Sequence, residues 1–262
     1  MKNICRPDNL KSCAACCGLY NVADASESSL GAELRKRSFL FRNVPRNVND
    51  LVNFKQFIAC SGSVKIIDPD IHVCEFIGFL DQEERVVGCM LHPDSTGNNG
   101  IDFRGLCHYG SMACKSFYCP AWMELPLRIK SIVAASVSDW RNYGLVITDV
   151  SFCQSIVGLI EGRISQVLSH EILNDQKVVQ TLGDLLMLKD TWPFGSSLRQ
   201  RRSAYYLKNQ FKACSEDDLL RNVLSSLSFT YGVDFTGREF RDLIMAKIDE
   251  SVDAIRLVAG SN

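Results

Sequence analysis

Apolar residues recur at helical spacing throughout the second half of the chain. Two successive stripes lie between residues 129 and 168, the first closed by Gly144, and a third stripe spans 178–186. Two later stretches, beginning near residues 215 and 236, each open with the Ser or Thr and the following acidic residue of a capping box. Because this spacing gathers apolar side chains on one helix face, the pattern predicts five or six packed helices.

The first half of the chain carries weaker helical signals. Residues 28–41 combine leucines with alternating charges, which predicts a helix, and the segment 44–49, with its proline and asparagines, ends it. Nearer the start, Asp8 is placed to cap a short helix that stops at Gly18.

Two apolar runs, 73–79 and 85–91, are separated by four polar residues and predict a β-hairpin. If the turn centres between the second and third of those polar residues, Phe76 lies opposite Cys89. Cys74 then shares a face with Cys89 and lies diagonally beside it, whereas a slip of one residue separates the two thiols.

Length and charge narrow the class of protein only slightly. The chain has 262 residues, enough to bury a large core, and a formal net charge of -1, so no nucleic-acid or membrane partner is indicated. The first residues hold no apolar run of the signal-peptide type, and no segment approaches the roughly 20 apolar residues of a membrane span. We therefore expect a cytoplasmic protein whose partners are unknown.

Cysteines change this picture, because they are concentrated before Pro120. Ten of the 12 precede that residue, as do three of the four histidines. In a reducing compartment, cysteines at short spacing are typical of metal sites rather than of disulfides. The two later cysteines, Cys153 and Cys214, fit small apolar core residues instead.

Spacing selects the ligand candidates. In the predicted first helix, three thiols at i, i+3 and i+4 point to one side, the hairpin supplies a second pair, and the segment before Pro120 supplies a third. The predicted metal ligands are Cys13, Cys16, Cys17, Cys74, Cys89, Cys114 and Cys119. Auxiliary candidates are Cys5, His92 and Cys107.

Seven thiols exceed the four ligands of one structural zinc ion, and the adjacent side chains of Cys16 and Cys17 diverge, so more than one site is expected. Zinc is the favoured cofactor, because the ferredoxin cysteine spacings are missing, and an iron–sulfur cluster is the alternative. Asp102 and Arg104 are candidates either for hydrogen bonding to the thiolates or for a local ion pair. Cys60 has no partner at metal spacing and is expected to be buried.

Two other chemistries have weaker support. The neighbours Cys107 and His108 supply a nucleophile and a base, but adjacency in sequence does not provide the spatial pairing that such catalysis needs. Basic and aromatic residues alternate over 198–207, a pattern that can bind single-stranded nucleic acid. An amphipathic helix with a solvated basic face is the preferred interpretation of that segment.

The cysteine pattern resembles that of the zinc- or iron-chelating cysteine-cluster proteins of bacteria, whose family motif is CxxCxxCC. The resemblance covers roughly residues 13–120. It rests on Cys13-Ala14-Ala15-Cys16-Cys17, on Cys74-Glu75-Phe76-Ile77, on Gly88-Cys89-Met90-Leu91-His92-Pro93, and on Cys114 with Cys119-Pro120. The position of the first motif cysteine is occupied by Leu10, for which Cys5 is a substitute. The resemblance implies metal binding at the seven thiols predicted above, and flagellin lysine N-methylases carry a similar cluster.

We therefore predict a mainly α-helical protein with a small β-hairpin, in which a cysteine-rich metal-binding module is packed on a helical C-terminal half. Residues 1–120 form the module and residues 121–262 the helical region. The predicted function is zinc or iron binding through the multi-cysteine cluster. The alternative is an iron–sulfur-dependent enzyme, with redox or protein-modifying chemistry such as methylation.

Overall fold

The chain is mainly α-helical with one small antiparallel sheet, as the sequence predicts, in a computed structural model that describes residues 3–62, 64–195, 200–206 and 213–259. In chain order the elements are α1 (Glu27–Arg42), α2 (Val48–Cys60), β1 (Ile77–Phe79), β2 (Val87–Cys89), α3 (Gly110–Ser116), α4 (Pro120–Glu124), α5 (Leu127–Ser136), α6 (Trp140–Ile147), α7 (Val150–Ile164), α8 (Gln176–Leu186), α9 (Leu188–Thr191), α10 (Glu216–Tyr231) and α11 (Arg238–Ala259). Short 3-10 turns join several of them.

Polar side chains begin many of these helices. Asp139 caps α6 and Asp149 caps α7, each accepting a hydrogen bond from the backbone N–H three residues on. Ser215 caps α10 by accepting from the Asp218 N–H at 3.2 Å, as its capping box predicts. These caps satisfy backbone donors that the first turn of a helix leaves without partners.

The largest hydrophobic core lies among the helices of the second half. Helix α7 is buried along most of its length and packs against α10 and α11, while α8 packs against α5 and α11. A second cluster joins the N-terminal segment, α1 and the hairpin to Trp140 and Leu145 of α6. Apolar burial on this scale supplies most of the stability of such a fold.

A third cluster lies under the hairpin. It contains Phe41 of α1, Phe54 of α2 and Phe76, whose rings meet in pairs at centroid distances of 5.1 to 6.2 Å. Cys74 and Cys107 are buried in the same cluster. The division of the chain at residue 120 remains a prediction, because the second cluster takes residues from both sides of it.

Two sequence predictions about the helices need correction, and the sequence pattern misses one helix. The stripe over residues 129–144 is two helices, because α5 ends at Ser136 and a new helix begins after Asp139. Gly144 therefore lies inside α6 rather than at a helix end. A Cβ added at Gly144 would contact the Tyr20 hydroxyl. Helix α2 was not predicted at all, since its polar residues interrupt the apolar spacing.

The basic and aromatic segment 198–207 is described only over residues 200–206. There it forms a 3-10 turn at Ala204–Tyr206 instead of the expected amphipathic helix. Arg201 is buried and donates from Nε to Asp190 Oδ1 at 3.0 Å, so it is not part of a solvated basic face. The rest of that prediction lies outside the described residues.

Among the described residues, no single helix combines the length and the apolar composition of a membrane span. Helices α6 and α7 meet that test only as a pair, across a bend of 84°.

Replacing Gly18 by alanine is expected to destabilise the fold more than the same change at Gly232. Both glycines end a helical turn with positive φ, at 81° and 67°. Either alanine costs about 1–2 kcal/mol for the left-handed backbone. A Cβ at Gly18 would also lie 2.2 Å from the His72 carbonyl oxygen, whereas no atom of the described residues lies within 4 Å of a Cβ at Gly232. Denaturant unfolding of both variants measures the difference, and equal losses would show that the approach of residue 72 to Gly18 does not matter.

Candidate metal centre

The N-terminal cysteines lie on a loop and one 3-10 turn, not on the predicted α-helix. The turn covers Ala15–Cys17 and ends at Gly18, which is the predicted stop. Cys13 precedes the turn, because the Ser12 hydroxyl donates to the Val87 carbonyl at 2.6 Å and accepts from the Val87 N–H at 2.7 Å. The Cys13 N–H donates a hydrogen bond to the Cys5 carbonyl at 2.8 Å. These bonds hold the segment extended against β2.

Asp8 does not cap a helix. Its Oδ1 accepts from the N–H groups of Leu10 and Lys11, at 2.7 and 3.0 Å, and its Oδ2 pairs with the Lys11 ammonium at 2.7 Å. The side chain therefore closes a local turn that leads into Ser12.

The hairpin forms, but its predicted register is wrong by one residue. Ile77, not Phe76, pairs with Cys89, and the turn centres on Glu83 because Glu84 adopts a left-handed backbone with φ of 57°. Cys74 nevertheless lies within electrostatic range of Cys89. The pairing of β1 begins only at Ile77, and a turn at residues 75–76 redirects the chain, so the alternation of the strand does not extend to Cys74.

The third cysteine-bearing segment folds as a series of short turns. Cys107 follows a 3-10 turn at Arg104–Leu106, and Cys114 lies on α3 with its sulfur 3.0 Å from that of Cys107. Cys119 is the residue before α4, which begins with Pro120. Proline suits the first position of a helix, so this sequence places Cys119 where its side chain is free of the helical turn.

Asp102 and Arg104 form the local ion pair, which is one of the two roles predicted for them. The Arg104 guanidinium makes two hydrogen bonds to the Asp102 carboxylate, at 2.7 and 2.8 Å, which hold the pKa of that carboxyl well below its usual range. It also donates to the Cys114 carbonyl at 3.2 Å and lies within electrostatic range of Cys89. The local ion pair therefore keeps a positive charge beside the thiols.

Nine of the 12 cysteines, all within the described residues, gather in two adjacent groups. The N-terminal group consists of Cys5, Cys13, Cys16 and Cys119, whose thiols interact electrostatically with one another. The hairpin group consists of Cys17, Cys74, Cys89, Cys107 and Cys114, which are linked in the same way. Cys16 also interacts with Cys17, Cys89 and Cys114, so it connects the two groups. Its contact with the Cys17 thiol shows that these adjacent side chains do not diverge, contrary to the expectation from the sequence. All seven predicted ligands and two of the three auxiliary candidates are thus neighbours.

Burial raises the pKa of most of these thiols, with mutual repulsion of their charges adding to it. The pKa of Cys5 rises to about 12 and that of Cys89 to about 11, and Cys13 and Cys74 are raised as well. Cys16 is the exception. A hydrogen bond donated by the Cys17 thiol lowers its pKa and raises that of Cys17. The Cys17 thiol therefore favours the thiolate form of Cys16.

The two groups differ in exposure. Cys5 and Cys16 of the N-terminal group are exposed to solvent. Cys74 and Cys107 of the hairpin group are buried. The Tyr205 side chain lies near Cys16 and Cys119, and burial together with those thiols raises the pKa of its phenol. Tyr205 comes from the helical half and has no cysteine spacing, so no sequence signal could have placed it here.

The gathered thiols do not form a ready-made coordination site. Among the described residues, no group of three or more His, Cys, Asp or Glu side chains is arranged to hold a metal ion. The His92 ring is held within its own loop, with Nδ1 accepting from the Asp94 N–H at 3.2 Å, and the His92 N–H donates to the Cys89 carbonyl at 3.1 Å. His72 stacks on His108 at a centroid distance of 4.1 Å and pairs with Glu75 at 3.2 Å.

The remaining cysteines have different surroundings. Cys153 is fully buried in α7 and donates to the Val146 carbonyl at 3.2 Å, which fits its interpretation as a core residue. Cys214 is exposed and does not fit that interpretation. Cys60 is also exposed, because it lies in the last turn of α2, and the expectation that it is buried is wrong.

Comparison with protein-family models, with curated proteins and with solved structures gave no match to this chain.

Iodoacetamide near neutral pH is expected to alkylate Cys16 of the metal-free protein faster than exposed Cys60. The thiolate is the reacting form, and the Cys17 hydrogen bond increases its fraction at Cys16. Tandem mass spectrometry of peptides over a time course measures both rates. A Cys17→Ala variant removes the donor and should slow the reaction at Cys16 alone. Faster labelling of Cys60 in the parent protein would contradict the assignment of the thiolate.

Proposed function

We propose that this protein binds zinc through its two adjacent cysteine groups. One observation carries the proposal, namely that nine thiols from distant parts of the chain become neighbours. Thiolate sulfur is a preferred ligand of zinc, and four such ligands complete a structural site. The N-terminal group supplies four thiols and the hairpin group five, so about two zinc ions per chain match the ligand supply.

Electrostatics favours a metal at this place. Neutral thiols are weak hydrogen-bonding groups, and ionising several of them together in a partly buried cluster is opposed by desolvation and by mutual repulsion. Arg104 supplies one compensating charge beside Cys89 and Cys114. A divalent ion makes ionisation of the thiols favourable, because it binds the thiolates directly as their protons are released.

The donor chemistry fits zinc, while the positions of the sulfur atoms require adjustment. The described residues contain no preformed set of three ligands, so binding must draw the thiols together. Most of these cysteines lie on loops and short turns, where side chains change rotamer readily. Metal binding would then be coupled to ordering of the N-terminal half, as in other proteins whose structural metal completes the fold. The resemblance to the chelating cysteine-cluster proteins agrees with this function.

An iron–sulfur-dependent enzyme is the second candidate. The observation that favours it is the solvent exposure of Cys5 and Cys16, the second of which lies near Tyr205. A catalytic metal centre keeps a position that a substrate can reach, whereas structural centres are closed. Redox chemistry or protein modification would fit thiols that solvent can reach.

Serine substitutions test the assignment of ligands to two groups. We expect Cys119→Ser to reduce the bound zinc from about two ions to about one, because the N-terminal group then lacks a fourth thiolate. A double variant of Cys17 and Cys74 should remove the other ion. Metal content is measured by mass spectrometry on protein purified without oxygen, beside a circular dichroism spectrum that reports folding.

Cys60→Ser is the matched control, since Cys60 is an exposed thiol outside both groups. It should keep all of the zinc and the yield of the parent protein. Loss of zinc from Cys60→Ser equal to the loss from Cys119→Ser would remove the basis of the assignment.

A further inference from the structure

A cavity of about 480 Å³ opens beside α1, outside both cysteine groups. Its floor consists of apolar side chains from three parts of the chain, which also belong to or pack on the second hydrophobic cluster: Leu19, Leu30, Leu34, Val73 and Ile77. Volumes of roughly 300 to 1,000 Å³ with a mainly apolar lining are typical of small-molecule sites. The cavity is therefore large enough for a small apolar ligand.

Backbone hydrogen bonds build one wall of this cavity. The Ala23 N–H donates to the Lys65 carbonyl at 2.8 Å, and the Ile67 N–H donates to the Asn21 carbonyl at 3.3 Å, on either side of a bridge between Val22 and Ile66. Because the wall is held by the backbone, the cavity exists without a ligand. Binding would then require little reorganisation of the chain.

Basic side chains outnumber acidic side chains at the rim of the cavity. Glu33 is paired with Arg37 at 2.8 Å, and that guanidinium also donates to the Cys74 carbonyl at 2.7 Å. Asp24 accepts from the Ser26 N–H at 3.0 Å. Lys36 and Lys65 are exposed, and no carboxylate among the described residues forms an ion pair with either of them. With Glu33 paired to Arg37, the rim carries two lysines and the carboxylate of Asp24, which leaves a net positive charge above the apolar floor.

We propose that this cavity binds an amphiphilic anion, namely a medium-chain carboxylate whose hydrocarbon chain lies on the apolar floor and whose head group pairs with Lys36 and Lys65. Apolar burial supplies most of the affinity, and the lysines select a negative head group over a neutral or positive one. The site is separate from the proposed zinc function and does not depend on it.

Isothermal titration calorimetry of the full-length protein with decanoate tests this site, at concentrations below micelle formation. We expect one binding site, with decanol binding about tenfold more weakly and decyltrimethylammonium more weakly still. Equal affinity for decanoate and decanol would overturn the role of the lysines, and no binding of decanoate would overturn the site.

Two variants locate the binding. Lys36→Glu combined with Lys65→Glu should weaken decanoate binding and leave decanol binding unchanged. Ala32→Phe, at an exposed position of α1 that lines the cavity, should weaken both ligands by filling the space. Lys177→Glu, on the exposed surface of α8, is the matched charge control and should bind like the parent protein. Unchanged binding in the cavity variants would place the ligand elsewhere and contradict the proposal.

Discussion

The cysteine groups depend on the attachment of the N-terminal segment to α6. The buried Tyr143 hydroxyl donates to the Ile4 carbonyl at 2.7 Å, the Tyr20 hydroxyl donates to the Arg141 carbonyl, and the Arg141 side chain donates to the Ala25 carbonyl at 2.7 Å. Arg141 is itself held by two hydrogen bonds of 2.7 Å to Asp190. Since a buried charge without its partner is strongly destabilising, this arrangement holds residues 4 to 25 in one place. Cys5, Cys13 and Cys16 are positioned by it.

Once the thiols are gathered, ionisation is the next constraint. The cluster holds few positive charges, so most of its thiols are neutral in the absence of metal and one thiolate at Cys16 is favoured by its neighbour. These thiols differ from an ordinary cysteine of a hydrophobic core. Cys153 is such a core residue, since it is fully buried and its thiol donates to a backbone carbonyl. The proposed zinc ions would account for both the number of thiols and their partial exposure.

How far the sequence predicts this structure depends on the range of the interactions involved. Local signals identified α7, α8 and the Ser215 cap, because apolar spacing and capping act within a few residues. The predicted hairpin register is wrong because Glu84 adopts a left-handed backbone, which the sequence does not indicate. The sequence pattern also joins α5 and α6 into one helix, because Val137 and Trp140 keep the apolar spacing across the turn between them. Cys5, Cys107 and Tyr205 join the site through tertiary contacts alone, so spacing could not rank them above other residues.

The metal content of protein purified without oxygen, read together with its visible spectrum, tests whether the cysteine groups bind zinc. We expect a colourless protein with about two zinc ions per chain, which are released when thiols are modified. A brown protein containing iron and acid-labile sulfide would contradict the zinc assignment and support the iron–sulfur alternative. Protein free of stoichiometric metal, with its cysteines paired as disulfides, would contradict metal binding altogether.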